Sequence, residues 1–190
     1  MLPSFIHISG IPQENTGSKI IVMSSNFLPS VSIDAINNAI ATGNDEELYD
    51  LLVQPLHDEL YKRQTFDFLD DLSWPQQLLL SYDYLHMQVG QGGFIQFLHN
   101  GYVGLMPSLI EQLYQLGANE MALVLDDALK VYVLNRELLE SAQSVEEFAK
   151  LYDELKEFEG IDERYLKLNP STTKQLLQYA AEHLHGVFIP

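Results

Sequence analysis

The sequence predicts an all-α protein, in which a single compact domain of about seven or eight helices follows an irregular N-terminal arm. Apolar residues recur at intervals of three and four through most of the chain after residue 31, which is the period of a helix with one buried face. Hydrophobic residues make up 46% of the 190 positions, enough to build a core rather than a disordered acidic tail. Residues 1–30 are assigned to the arm and residues 31–190 to the helical domain.

The predicted arm has the composition of loops. Pro3, Pro12 and Pro29 recur among glycine, serine and asparagine residues, and this mixture favours turns over regular structure. Residues 19–23 would pair as a short strand or lie as an apolar arm on the domain or on a second subunit. The arm is the preferred interpretation.

The first three helices are predicted from capping residues and stripes of leucine. Ser32 can cap a helix that ends at Gly43. Asn44 or the residue after it starts a second helix, which Pro55 would kink or divide. The sequence from Ser73 to Gln76 has the form of a capping box and opens a third helix, from about residue 74 to residue 89.

The remaining helices follow residue 101. Pro107 opens one helix, and Asn119 starts the next. Ser144 begins a second capping box, which opens an amphipathic helix whose apolar side extends to Phe158. Ser171 is predicted to begin the last helix. No repeat and no break in composition divides the domain.

Residues 90–101, at the middle of the chain, are predicted to form a hub of packing. Three glycines break the preceding helix, because glycine is a poor residue for a helix interior. Phe94 and Phe97 are spaced to anchor one short turn in the core, and Asn100 with Gly101 supplies a stop signal. The hub residues are Gly92, Gly93, Phe94, Gln96, Phe97 and Asn100.

The pattern Gly92-Gly93-Phe94-x-Gln96-Phe97-x-x-Asn100 resembles the central signature of a bacterial family of domains of unknown function, the DNA-mimic family of the neisserial type. The similarity covers roughly residues 45 to 185. Gln91 and Leu98 depart from the pattern, where Asn and a second aromatic residue are common. The resemblance implies a mostly helical fold, a homodimer and, more weakly, mimicry of DNA, since most members have no known role.

Charge is the strongest signal in the composition. The chain has 27 acidic and 10 basic residues, a formal net charge of −17. No Lys or Arg lies between Lys19 and Lys62, or between Arg63 and Lys130. Such a field repels nucleic acid and anionic membranes and attracts basic proteins. Solubility alone is the alternative explanation of the charge.

Two rows of carboxylates are candidate partner-binding surfaces. Acids four residues apart on a helix are separated by about 6 Å, close to the spacing of successive phosphates on one DNA strand, and most protein–DNA contacts are to the backbone. The first row is Asp45, Glu46, Glu47, Asp50, Asp58, Glu59, Asp67, Asp70 and Asp71. The second row is Glu146, Glu147, Asp153, Glu154 and Glu157. The first row is preferred, because Glu146 and Lys150 have the spacing of an ordinary ion pair.

The sequence predicts no enzyme, no metal site and no cofactor. Gly90-x-Gly92-Gly93 follows a helix rather than a strand, so it is not a dinucleotide fingerprint. The chain has no cysteine, which excludes thiolate metal ligands and cysteine nucleophiles. Two groups of residues could be considered as metal ligands, Asp83 with His86, and the C-terminal cluster of Glu182, His183 and His185. Neither has the repeated Glu-x-x-His pattern of metal sites in helical bundles. His99 is expected to donate to a carbonyl group or to Asn100.

These observations predict a cytoplasmic protein that binds a basic DNA-binding protein, of helix-turn-helix type in the first instance, and blocks its access to DNA. No secretory signal or membrane-spanning run is recognisable in the sequence. One alternative is an antitoxin or immunity-like inhibitor of a basic nuclease, in which shape would matter as much as charge. Another is a small-ligand binder or enzyme with a pocket near His86 or His99.

Overall fold

Seven α-helices and two short 3₁₀ helices make up the part of the chain that the computed structural model describes, which is Phe27 and residues 31–184. Within these residues there is no β-strand. The predicted all-α domain of seven or eight helices is therefore confirmed. The predicted N-terminal arm of residues 1–30 falls, except for Phe27, outside the described residues.

The helices follow one another with short connections. In chain order they are α1 (Ile33–Thr42), α2 (Asp45–Arg63), the first 3₁₀ helix (Phe66–Asp71), α3 (Trp74–His99), the second 3₁₀ helix (Tyr102–Leu105), α4 (Met106–Leu116), α5 (Asn119–Ser141), α6 (Val145–Glu154) and α7 (Glu157–Glu182).

Three helices, α1, α3 and α6, start where the capping residues Ser32, Ser73 and Ser144 predicted them. The Ser32 hydroxyl accepts a hydrogen bond from the Ala35 N–H at 3.3 Å, and α1 ends at Gly43 with a left-handed φ of 64°. At the start of α6, the Glu147 side chain accepts from the Ser144 N–H at 3.1 Å while the Ser144 hydroxyl accepts from the Glu147 N–H at 3.2 Å. Both capping boxes in the sequence are thus confirmed.

Three predicted boundaries are wrong. The third helix does not end at about residue 89, because α3 continues past Gly90, bends at Gly92 and Gly93 and reaches His99. The last helix does not begin at Ser171, because α7 continues through Pro170 from Glu157 to Glu182. The amphipathic helix does not reach Phe158, because α6 ends at Glu154. Leu155 and Phe158 are both buried on either side of the joint. The helical period of apolar residues therefore continues across the break between α6 and α7, so that this period alone could not reveal the break.

Two helices contain a proline in their interior. Pro55 neither divides α2 nor ends it. Pro170 lies on an exposed part of α7, where water can bind the carbonyl oxygen that loses its N–H partner. The Thr172 hydroxyl donates to the Leu168 carbonyl at 3.1 Å, one turn before it.

Helix α3 is the central element of the domain. It contacts α2, α4, α5 and α7, and three consecutive leucines, Leu78, Leu79 and Leu80, are each at most 1% exposed. A helix that is buried on all sides shows no single apolar face. Four helices pack directly against α3, so its path affects how they are arranged.

Replacing Pro170 with alanine is expected to stabilise the protein. The change restores one backbone hydrogen bond and removes the steric conflict of proline inside a helix, and we expect a gain of about 1–3 kcal/mol in the free energy of unfolding. Denaturation with urea measures this. Gln175→Ala, at an exposed position of the same helix, should change stability by less than about 0.5 kcal/mol. A loss of stability in Pro170→Ala would show that proline is better accommodated in α7 than alanine.

Candidate functional site

Helix α3 bends at Gly92 and Gly93, and the bend exposes two backbone groups to side chains of other helices. The two glycines have non-helical angles, with φ and ψ of −151° and 26° at Gly92 and of 66° and −173° at Gly93. The Tyr152 hydroxyl of α6 donates to the Gly92 carbonyl at 2.7 Å. The Phe94 N–H donates to an Asp162 carboxylate oxygen of α7 at 2.8 Å. Backbone groups that the bend removes from the helix are thereby satisfied.

A side chain would be crowded at both positions. A Cβ atom at Gly93 would collide with the Asp162 carboxylate, and one at Gly92 would collide with the Gln96 side chain and lie 2.9 Å from the Tyr152 hydroxyl. The angles of Gly93 also belong to a region that is essentially restricted to glycine. The glycines therefore permit the close approach of α6 and α7 to the bend.

The other hub residues join the two halves of α3 to each other and to the core. Phe94 and Phe97 are fully buried. The Phe94 ring meets the Tyr165 ring edge-on, with 5.7 Å between centroids. The side-chain amides of Gln96 and Asn100 both donate to the Gln88 side-chain oxygen, at 3.1 and 2.7 Å, which ties the last turn of α3 to its longer first part.

Tyr152 and Asp162 are the residues of this site that sequence reasoning missed. The sequence pattern marks Tyr152 only as part of an apolar stripe, and Asp162 only as one of many acids. A weak signal exists, since Asp162 lies between the buried residues Ile161 and Tyr165 on α7, at the margin of the face that packs inward. Burial raises the pKa of Asp162 to about 6, against the opposing effect of the Phe94 hydrogen bond.

Asp83 and His86 do not form a joint site. Asp83 is buried and accepts from the Tyr49 hydroxyl at 2.9 Å, and its other oxygen lies 2.6 Å from His57 Nε2. Burial, with the Asp83 charge added to it, raises the pKa of Tyr49. His86 instead lies 3.3 Å from the Tyr165 hydroxyl. Asp83 therefore links α2 to α3 rather than serving a ligand.

No metal-binding arrangement was found in the described part of the chain, where no group of three or more His, Asp or Glu side chains is suitably placed. His99 lies 3.0 Å from the Leu139 carbonyl oxygen, the geometry of a ring N–H that donates to it. The His99 ring also packs 4.7 Å from the Phe148 ring. Both histidines of the alternative ligand-binding interpretation are thus engaged in packing contacts.

The first carboxylate row is divided by the fold. Glu46, Asp50 and Asp58 are exposed on one side of α2. The exposed amide side chain of Gln54 lies between Asp50 and Asp58, so that the four residues follow one another at intervals of four. We call these four residues the α2 stripe. Glu47 belongs instead to the helix cap, because its carboxylate accepts from the Asn44 amide at 2.9 Å. Asp45 is exposed in the first turn, where a negative charge is favourable to the helix dipole.

The end of the first row is neutralised by two bases. Glu59 pairs with Lys62 at 3.2 Å and with Arg63 at 2.8 Å. Arg63 also forms an ion pair with Asp71 of the first 3₁₀ helix, and its guanidinium carbon lies 4.5 Å above the Phe68 ring. Of the acids in this 3₁₀ helix, Asp67 and Asp70 remain exposed outside these pairs.

The second row is interspersed with bases. Glu146 pairs with Lys150 at 3.4 Å, as its spacing predicted, and Lys156 pairs with Asp153 at 3.7 Å. Backbone hydrogen bonds from residues 143 and 144 hold the pKa of Glu147 below its usual value. Glu154 and Glu157 are exposed on either side of the joint between α6 and α7. This row therefore has bases paired with some of its acids, whereas no base lies within the α2 stripe.

Residues 70–183 match the family model described as DMP19-like protein, which covers more than half of the chain. The chain belongs to the DMP19-like protein family. The resemblance to the DNA-mimic family is therefore confirmed. No curated protein matches the chain. The matched segment contains the bend of α3 with Tyr152 and Asp162, whereas α2 and its stripe precede it.

No helix in the described residues is long and apolar enough to span a membrane.

Gly93→Ala is expected to destabilise the protein by about 2–4 kcal/mol, because alanine is strained at this φ and its methyl group collides with the Asp162 carboxylate. Gly90→Ala is the matched control. A Cβ at Gly90 would meet nothing within 4 Å, and alanine there should stabilise the helix by up to about 1 kcal/mol. Urea denaturation of both variants measures the difference. Equal effects would contradict the role assigned to Gly93.

Asp162 should make the stability of the protein depend on pH. Its folded-state pKa of about 6 lies above the ordinary value of 3.8, so the folded protein binds this proton more tightly than the unfolded chain does. The resulting stabilisation is fully present below about pH 4 and is lost as the pH rises through about 6. Asp162→Asn removes this contribution, which we expect to be about 1–2 kcal/mol after solvent screening.

The comparison is made by denaturation at several values between pH 4 and pH 7. The difference in stability between Asp162→Asn and the wild type should grow with pH in favour of the variant. Glu163→Gln, which removes an exposed charge at the next position, should leave the wild-type pH profile of stability nearly unchanged. Parallel profiles for Asp162→Asn and the wild type would refute the assignment.

Proposed function

We propose that the protein is a cytoplasmic DNA mimic, which presents the α2 stripe to the basic surface of a DNA-binding protein and so blocks access of that protein to DNA. Membership of the DMP19-like family supports this proposal. It also favours a binding role over a catalytic one. The partner class is a basic, DNA-binding regulator, with a helix-turn-helix protein as the first candidate.

The α2 stripe is the observation that carries the proposal. Its members follow one another every four residues, so adjacent side chains are displaced by about 6 Å along the helix axis. Proteins hold DNA largely through its phosphates, and a regular row of exposed carboxylates offers similar charges to the same basic side chains. The ion pairs of α2 lie at Glu59, Lys62 and Arg63, which leaves Glu46, Asp50 and Asp58 outside them.

The bases of the domain mostly neutralise acids elsewhere. Lys130 pairs with Asp126 at 2.7 Å, Arg136 pairs with Glu140 at 2.7 Å, and Arg164 of α7 bridges to α5. Within the described part of the chain, this distribution leaves the negative charges of the α2 stripe without a paired base, and they produce a local negative field. Such a field raises the rate of association with a basic partner, and its effect falls as salt is added.

A homodimer is part of the proposal. One α2 stripe extends over about 18 Å, from twelve residues at 1.5 Å each. A dimeric helix-turn-helix protein reads two half-sites about 34–36 Å apart. Two copies of the chain would therefore be needed to meet both basic surfaces of such a partner at once.

Neutralising the α2 stripe should abolish capture of the partner. In a pull-down from a bacterial lysate at low salt, the variant Glu46→Gln/Asp50→Asn/Asp58→Asn should recover at least about tenfold less of a DNA-binding protein, because it loses three charges that substitute for phosphates. The matched control, Asp153→Asn/Glu154→Gln/Glu157→Gln, loses three charges from the second row and should recover nearly the wild-type amount. Wild-type recovery should fall at about 0.5 M salt.

The recovered protein then has to be tested against DNA. The proposal requires that the wild-type chain displace this protein from labelled DNA and that the α2 variant fail to do so. Gln54→Glu would fill the neutral position of the stripe, and it should strengthen displacement at low salt. Equal effects of the two triple variants, or capture that ignores salt, would refute the proposal and leave solubility as the explanation of the charge.

A further inference from the structure

A cavity of about 200 Å³ lies between the first 3₁₀ helix, α3 and the start of α4. Its apolar walls include Leu69 and Leu105, and its polar lining includes Asp70, Gln77, Ser81 and Ser108. Among the described residues, no basic side chain lines it. The cavity is partly open to solvent, and nothing in the proposed mimicry along α2 uses it.

The polar groups around the cavity are mainly hydrogen-bond acceptors. The Gln77 amide nitrogen is already used, since it donates to the carbonyls of Leu69 at 2.8 Å and of Leu72 at 3.1 Å. Its oxygen accepts from the Gln112 amide at 3.3 Å. The Asp70 carboxylate can only accept when ionised. The Ser81 and Ser108 hydroxyls can both donate and accept, so the excess of acceptors comes from the Asp70 carboxylate.

A buried side chain is hydrogen-bonded to the cavity lining. Gln112 is 5% exposed, and its side-chain oxygen has no hydrogen-bond partner among the described residues. Its nitrogen donates to Gln77, but Gln112 itself is not part of the lining. At the start of α4, the Met106 N–H already donates to the Val103 carbonyl in the preceding turn. This backbone donor is therefore not free to bind a ligand in the cavity.

We propose that this cavity binds one guanidinium group on an alkyl stem. A guanidinium has five N–H donors, a fixed positive charge and no acceptor, which complements a lining of acceptors with one carboxylate. Its methylene stem can lie along the two leucines. An anion would meet the charge of Asp70, and a neutral ligand would leave that charge unpaired.

Two sources can supply this group. One is an arginine of the basic DNA-binding protein, and this source rests on the proposed function, because arginine is a common contact to DNA phosphates. The other is a free small molecule that carries a guanidinium. The site itself is independent of which source is used.

The site is tested with N-acetyl-L-arginine amide as the probe, titrated into the ¹⁵N-labelled protein. Saturable chemical-shift changes should appear around residues 69–70, 81 and 104–108. Asp70→Asn should weaken probe binding at least about tenfold, because it removes the one charge that the described residues contribute to the cavity lining. Asp67→Asn removes the same charge from the same 3₁₀ helix but outside the cavity lining, and it should change binding by less than about twofold.

Two results would overturn the site. One is equal binding of N-acetyl-L-citrulline amide, a neutral analogue of the probe with the same stem. The other is an equal effect of the Asp70 and Asp67 variants. Circular dichroism on both variants checks that each remains folded, and both positions are exposed.

The source is then decided with the captured DNA-binding protein. If Asp70→Asn weakens its binding more than Asp67→Asn does, the guanidinium comes from an arginine of the partner. If only the probe responds to Asp70→Asn, a free small molecule is the ligand. Absence of any captured protein would count against the proposed function alone, since the probe titration decides the site without a partner.

Discussion

The bend in α3 depends on two hydrogen bonds that cross the domain. Bending a helix removes backbone groups from its internal ladder, and burial makes an unpaired group costly. The Tyr152 hydroxyl and the Asp162 carboxylate satisfy the Gly92 carbonyl and the Phe94 N–H. Because α3 touches four other helices, its bend fixes where α6 and α7 pack and where the chain turns toward α4. The glycine signature is thus explained by contacts with distant residues.

Local chemistry predicted much of this fold. Ser32, Ser73 and Ser144 begin helices because a side-chain oxygen next to the first turn satisfies a free N–H, and Gly43 ends one because it adopts a left-handed conformation. These are interactions over three or four residues, and a sequence displays them directly. The break between α6 and α7 was not predictable in this way, because the apolar period continues from Leu155 to Phe158.

The candidate site was predictable only in part. Spacing on α2 correctly indicated that Asp50 and Asp58 share an exposed side, but it also grouped them with Glu59, which faces Arg63 instead. The Glu59–Arg63 pair has a four-residue spacing that the sequence displays, whereas the pair between Arg63 and Asp71 depends on how the first 3₁₀ helix folds against α2, which is tertiary information. The same limit applies to Asp162, whose partner Phe94 lies 68 positions away in the sequence.

The contact between α2 and α3 has a consequence for how the surface of this protein can change. Asp83 is buried and holds both Tyr49 and His57 of α2, and it lies within the segment that matches the family, whereas α2 precedes that segment. The orientation of the charged helix is therefore encoded in the interior of the family scaffold rather than on the surface that a partner would touch. Substitution of one interior polar contact could therefore change the orientation of α2, and with it the surface offered to a partner, while every exposed charge stayed the same. A comparison of surface residues between relatives would not reveal such a change.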